Sequence, residues 1–248
     1  MSPAPPRHAV VVGATAVLAA CTARCWAARG TRRFTLIGRD RDRLEAVATD
    51  LRLRADGVDA AVVALDLTDP RAISAAIEGL AIDEPDAVLI AHGVMHAQAA
   101  LEHDLVLAEE QLRITGVSPV LWLEGFADAL GPDATVAVIG SVAGDRGRAS
   151  NLLYGAAKGM IERAAQGLQH RRDRRGGPRI VLIKPGPTRT PMTAALGSRR
   201  LADPDDVARG IAAAVARGSA VAYVPRRWGL IMAVVRIMPR RLLARLDL

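Results

Sequence analysis

Short apolar runs alternate along the chain with stretches in which apolar and charged residues recur at helical spacing. The apolar runs are His8 to Val12, Phe34 to Gly38, Asp59 to Leu65, Ala87 to Ala91, Thr135 to Ile139 and Arg179 to Ile183. Each predicts a strand. Helices are predicted between them, over Val17 to Arg29, Asp42 to Ala55, Arg71 to Leu80, Glu109 to Leu130 and Tyr154 to Arg172. Strands that are apolar throughout belong in a sheet covered on both faces, and strand–helix alternation makes that sheet parallel. Right-handed crossovers then give an α/β fold with a doubly wound parallel sheet and helices on both faces. Ligands of such sheets bind beyond the carboxyl ends of the strands. The chemistry is therefore sought just after each apolar run.

Composition narrows the picture. The 248 residues are 50% hydrophobic, enough for one large core in a single domain. Repeats and low-complexity linkers are absent from the sequence. Residues 7–225 are expected to form the core, and residues 226–248 a basic, apolar C-terminal segment. The net charge is +7, yet the cations are almost all arginine, with only Lys158 and Lys184 as lysines. With alanine so frequent, this reads as a coding bias, and no nucleic-acid partner is expected. Cys21 and Cys25 lie four apart in a predicted helix and read as packing thiols, with no metal site. The N-terminus lacks the apolar core of a signal peptide, and no apolar run reaches the ~20 residues that span a bilayer. A cytoplasmic protein is expected.

The strand ends carry the candidate chemistry. Gly13-Ala14-Thr15-Ala16-Val17-Leu18-Ala19 opens the first helix after the first strand. A glycine turn at a helix N-terminus presents backbone N–H groups to a pyrophosphate, which makes Gly13, Thr15, Ala16 and Leu18 cofactor-binding candidates. Only one of the usual three glycines is present, and Val17 narrows the approach. The second strand ends Gly38-Arg39. An acid here suits the ribose hydroxyls of NAD, whereas a guanidinium suits the 2′-phosphate of NADP. The competing reading of Arg39 is a solvated charge beside Asp40 and Asp42. After the third strand, Asp66 is placed to accept from the adenine amine and Leu67 to pack on the ring. Asp66 equally suits a helix cap. The fourth strand ends Ala91-His92-Gly93, adding Ala91 and Gly93 to the cofactor site.

Tyr154-Gly155-Ala156-Ala157-Lys158 places a phenol and an ammonium on one helix face. An ammonium about 4 Å from the phenol is worth a few kcal/mol at an effective dielectric near 20. That predicts a tyrosine pKa lowered by roughly two to three units, a general acid near neutral pH. Ser141, just after the fifth strand, is placed to hold a carbonyl oxygen beside it. Pro185-Gly186-Pro187-Thr188-Arg189-Thr190 follows the last predicted strand as a rigid turn, with Pro185, Gly186, Thr188 and Thr190 as nicotinamide contacts.

Together these residues resemble the short-chain dehydrogenase/reductase family, a Rossmann-fold family, from His8 to about Tyr223. The resemblance implies hydride transfer between NADP(H) and a carbonyl or alcohol. By the same resemblance Tyr154 is the acid–base, Ser141 positions the substrate oxygen, and Lys158 binds the ribose and tunes Tyr154. Dimers or tetramers are implied too. Three departures stand out: the thinned glycine turn, Ala91-His92-Gly93 in place of Asn-Ala-Gly, and a missing catalytic asparagine. Helix spacing puts Thr115 in that asparagine's place, or else Arg113, with the Thr115 hydroxyl as the holder of a relay water.

A narrower resemblance, carried by Ser141 to Gly155 and by the C-terminus, is to bacterial reductases of keto-sugars attached to polyprenyl phosphates. Trp228 to Val235, flanked by Arg226, Arg227, Arg236, Arg240, Arg241 and Arg245, suits an interfacial membrane segment, or alternatively a substrate lid or subunit contact. Arg146 and Arg148 are candidate contacts for a substrate phosphate. The expected activity is NADP(H)-dependent reduction of a ketone, on a lipid-linked keto-sugar. The alternatives are a small soluble ketone or lipid as substrate, or a non-catalytic NADP-binding sensor.

Overall fold

The computed structural model describes residues 4–196 and 201–243. Arg245, one of the flanking arginines, lies outside them. Seven strands form one parallel sheet in the order β3-β2-β1-β4-β5-β6-β7. They are β1 His8–Val12, β2 Arg33–Gly38, β3 Asp59–Ala64, β4 Ala87–Ile90, β5 Thr135–Ile139, β6 Arg179–Pro185 and β7 Val221–Val224. The helices are α1 Val17–Ala28, α2 Arg41–Arg54, α3 Pro70–Ala81, α4 Gln98–Leu101, α5 Leu105–Leu112, α6 Ser118–Ala129, α7 Leu152–Arg175, α8 Pro204–Arg217, α9 Arg227–Ile237 and α10 Arg240–Leu243.

The two-residue period of a strand builds two cores. Ala9 and Val11 point to one face, with Trp26 of α1, Leu44 of α2 and Ile211 of α8. Val10 and Val12 point to the other, with Ile77 of α3, Trp122 and Phe126 of α6, and Ile161 of α7. The Trp122 and Phe126 rings stack with centroids 5.8 Å apart, both fully buried. Truncating either to alanine costs about 3–5 kcal/mol on the usual scale for such cavities.

Aspartates cap α2, α3, α5 and α8: Asp40, Asp69, Asp104 and Asp203 each accept from a backbone N–H of the first turn. Helix α1 is different. Its N-cap is Ala16, with no side-chain cap and no acid in the first turn. The N–H groups at that end have no side-chain partner, as is also so at the starts of α4, α6, α7 and α9.

The sheet and the α/β class are as the periodicity predicts. Three details differ. The helix predicted from Glu109 starts earlier, at Leu105, because Asp104 accepts from Val106 and Leu107. It is interrupted at Arg113–Val117 by a π turn before α6. Helix α7 starts two residues before Tyr154. Strand β7 has only four residues, of which only Val224 is buried, too short to show a period, yet it pairs with β6 and closes the sheet.

Candidate active site

Gly13 ends β1 with φ +78°, a conformation that favours glycine. A Cβ there would lie 2.7 Å from the His92 backbone nitrogen, so the turn passes directly over the end of β4. Thr15, Ala16 and Leu18 remain partly exposed around the uncapped start of α1. Arg39 is exposed beyond β2 and makes no hydrogen bond or ion pair among the described residues. The free guanidinium and the free helix end suit an anionic dinucleotide carrying an extra phosphate.

Beyond β3, Asp66 stays exposed while Leu67 departs from expectation. Asp66 Oδ1 accepts from both the backbone N–H and the hydroxyl of Thr68, each at 2.8 Å, and these bonds hold its pKa below the ordinary aspartate value. It closes a turn, while the neighbouring Asp69 caps α3. The Leu67 side chain is buried in the core beneath the crevice, not laid open to pack on a ring. Its carbonyl accepts from Ser118 Oγ and from Trp122 Nε1 at 3.1 Å. His92 Nε2 stands 2.7 Å from the same Ser118 oxygen. Burial, with the Lys158 and Arg39 charges, pushes the His92 pKa down to about 3, so this ring is neutral. The His92–Ser118–Leu67 chain ties the ends of β3 and β4 to α6, which no reading of the sequence suggested.

The catalytic candidates come together. Ser141 ends the link from β5 and accepts from Ala143 N at 3.1 Å, capping a short 3-10 turn over Val142–Gly144. A Cβ on Gly144 would come within 2.8 Å of the Lys158 backbone. Only glycine lets this turn lie against α7: a Cβ on Gly155 would in turn come within 2.9 Å of Ala143 O, so the turn that Ser141 begins is packed against the start of the helix that carries Tyr154. Lys158 is buried, and its Nζ donates to Ile139 O at 2.8 Å.

The electrostatics correct the expectation for the pair. Lys158 Nζ is 5.8 Å from the Tyr154 ring centroid and is spent on a carbonyl. Burial therefore dominates: it raises Tyr154 to about 12, against the lowering effect of Ser141, and lowers Lys158 to about 8. The predicted lowering of Tyr154 is not found in the free protein. A lysine whose folded pKa lies below its unfolded value costs stability when charged. The cost is present in full below pH 8 and fades as pH climbs toward the unfolded value. Lys158→Met is therefore expected to raise the melting temperature of the ligand-free protein at pH 7. The gain, on the order of 1–3 kcal/mol, should shrink above pH 8. Thermal melts at pH 7 and 9.5 check this, and an equal or larger gain at the higher pH would contradict it.

Thr115 is fully buried in the π turn. Its hydroxyl donates to Val94 O at 2.8 Å and accepts from Val94 N at 2.9 Å. A Cβ on Gly93 would lie 3.5 Å from Thr115 and 3.7 Å from Lys158 Nζ, so all three meet. Arg113 instead points outward to Thr68 and Glu109. Of the two candidates, Thr115 holds the inner position. Its only hydroxyl proton is committed to Val94, so it braces the loop rather than donating to a relay water. Ala91 continues the ladder, its N–H donating to Val12 O.

Pro185 and Gly186 end β6, with Gly186 N donating to Val224 O. The Thr188 hydroxyl turns back to Gly186 O, and Thr190 pairs with Thr193. Arg146 is a correction: its Nη1 donates to Val235 O and Arg236 O, the carbonyls that end α9, so it is not a free phosphate contact. Arg148 is half-buried, and its Nε has no hydrogen-bond partner.

One cluster was not anticipated. Lys184 Nζ pairs with Asp145 and, at 2.9 Å, with Glu162; their side chains are 2%, 0% and 5% exposed. Tyr223 donates to Asp145 Oδ2 at 2.7 Å, and Lys184 Nζ sits 5.3 Å from the Tyr223 ring centroid. The hint in the sequence was the series Tyr154, Lys158, Glu162, which sets an acid on the catalytic face of α7.

Comparison with known proteins places the chain in a family. The short chain dehydrogenase profile matches residues 7–201. An uncharacterised oxidoreductase from the mprA 5′ region of Streptomyces coelicolor is 33% identical over 245 residues, covering 98% of this chain and 96% of that protein. A short chain dehydrogenase from Burkholderia cenocepacia J2315, solved in complex with NADP, superposes over the full length of both chains with a TM-score of 0.83 at 20% identity. A dehydrogenase from Burkholderia cenocepacia with bound NADP gives a TM-score of 0.77 at 16% identity, over 90% of this chain and 93% of that one. The chain belongs to the short-chain dehydrogenase family of oxidoreductases.

Proposed function

We propose that the protein is an NADP(H)-dependent reductase of ketones, and the observation that carries this is the meeting of Tyr154 with the buried Lys158 ammonium, 5.8 Å from its ring centroid, where the Ser141 turn packs on α7 and Gly93 approaches Lys158. The uncapped α1 N-terminus and the free Arg39 fit NADP, and two solved structures of similar fold are NADP complexes. The bound cofactor supplies the hydride. Ser141 holds the substrate oxygen, Tyr154 gives it a proton, and Lys158 keeps a positive charge beside the phenolate that remains.

Arg39→Ala is expected to weaken NADPH binding about 10- to 100-fold, the scale of a lost charge-assisted contact, and to leave NADH unchanged. Calorimetric titration with both cofactors checks this. Equal affinities for NADPH and NADH in both proteins would overturn the cofactor assignment.

The substrate reading is a keto-sugar on a polyprenyl phosphate, in the manner of decaprenylphosphoryl-keto-ribose reduction in envelope glycan synthesis. Its support is α9. Leu230, Val234 and Ile237 are 79%, 57% and 82% exposed on one helical face, flanked by Arg226, Arg227, Arg236, Arg240 and Arg241. An apolar face framed by arginines suits an anionic lipid surface. No helix among the described residues is long and apolar enough to cross a membrane. Sedimentation with phosphatidylglycerol vesicles should carry the wild type and not Leu230→Asp/Ile237→Asp. Equal partitioning would instead favour a soluble ketone.

A further inference from the structure

Three buried charged groups and a half-buried phenol lie behind the site, and each is close in sequence to a working part of it. Asp145 ends the turn that Ser141 begins. Glu162 lies one helical turn beyond Lys158 on α7, and Lys184 immediately precedes Pro185-Gly186. Tyr223 belongs to β7, four residues before α9. Burying ions costs several kcal/mol each before pairing repays it, and apolar residues of similar shape often serve stability as well. What the cluster adds is geometry. Lys184 and Glu162 hold Asp145 in place, and Asp145 in turn accepts the Tyr223 hydroxyl.

The next residue, Arg146, donates to the two carbonyls at the end of α9. Met232 and Val235 of α9 pack on Val142, one residue after Ser141. The start of α9 carries Trp228, whose indole fills the place a side chain on Gly186 would take: a Cβ there would lie 1.9 Å from Nε1. Trp228 Nε1 is itself buried with no hydrogen-bond partner.

We infer that α9 is the roof of the nicotinamide end of the crevice, that Trp228 is a wall residue of that chamber, and that Tyr223–Asp145 and Arg146 are the two latches holding it shut. The inference rests on the cofactor reading, since Gly186 marks the nicotinamide end only if NADP(H) binds there. The latches are positioning residues: they touch neither substrate nor cofactor and act through α9.

The test uses the full chain with NADPH as the probe, reading how far acrylamide quenches the bound nicotinamide's emission. Tyr223→Phe removes one O–H, and Arg146→Met keeps the stem and removes the two caps. Both are expected to bind NADPH within about 2-fold of wild type, and to raise the quenching constant of bound NADPH several-fold. Trp228→Ala should raise it at least as far. A loss of melting temperature alone, with quenching unchanged in all three variants, would show a purely structural cluster and overturn the inference. Failure of the wild type to bind NADPH would overturn the cofactor reading instead, so the two failures are distinct.

Discussion

Tyr154→Phe is expected to lower ketone-dependent NADPH oxidation by 10²-fold or more, with NADPH affinity retained. The magnitude is that of a removed acid–base group. The phenyl ring keeps the side chain's volume, so the loss isolates the phenolic proton. The Ser141 hydroxyl still accepts from Ala143, so the turn keeps its cap. Steady-state rates with wild type and variant on the same ketone decide it. A loss smaller than about 10-fold would mean that Tyr154 does not donate the proton.

Lys184→Met should be as damaging as a large core truncation, although it removes no apolar packing. It leaves Asp145 and Glu162 as two buried carboxylates without their shared cation. Breaking a buried pair by removing one partner costs about 3–5 kcal/mol. At roughly 2–4 °C per kcal/mol for a domain of this size, the melting temperature should fall by about 6–20 °C. Replacing all three ionic groups at once, as Lys184→Met/Asp145→Asn/Glu162→Gln, should recover part of that loss, because no uncompensated charge remains. Thermal melts of the two variants test the sign. A triple variant less stable than Lys184→Met would show that the carboxylates contribute by some means other than pairing.

The strands were legible because buried parallel strands are written as unbroken apolar runs, and β1, β2, β4, β5 and β6 each fall where such a run lies. Short, half-exposed β7 carries no such signature. Its place is fixed by pairing with β6 across nearly 40 residues, which local pattern does not encode. The catalytic trio was legible because Tyr154 and Lys158 sit four apart on one helix. The electrostatic state of that pair was not, since spacing gives proximity but not the carbonyl of Ile139 that claims the ammonium. Arg146 shows the same limit. An arginine five residues after Ser141 looks like a free cation until the end of α9 is seen to lie against it. Lys184, Asp145, Glu162 and Tyr223 meet only in the folded chain, and their separations leave no motif.

The site also has two histories within one molecule. The dinucleotide cradle is built from β1, α1, β2 and the ends of β3 and β4, all within the first hundred residues and mostly between neighbours in sequence. The roof depends on contacts 78 and 89 residues apart, from Asp145 to Tyr223 and from Arg146 to Val235. During synthesis the cradle has its whole sequence available before residues 145–236 are made, so the roof residues emerge well after it. A chain arrested before α9 would be expected to grip the adenosine half of a dinucleotide and leave its reactive end open to water, a binder before it is a catalyst.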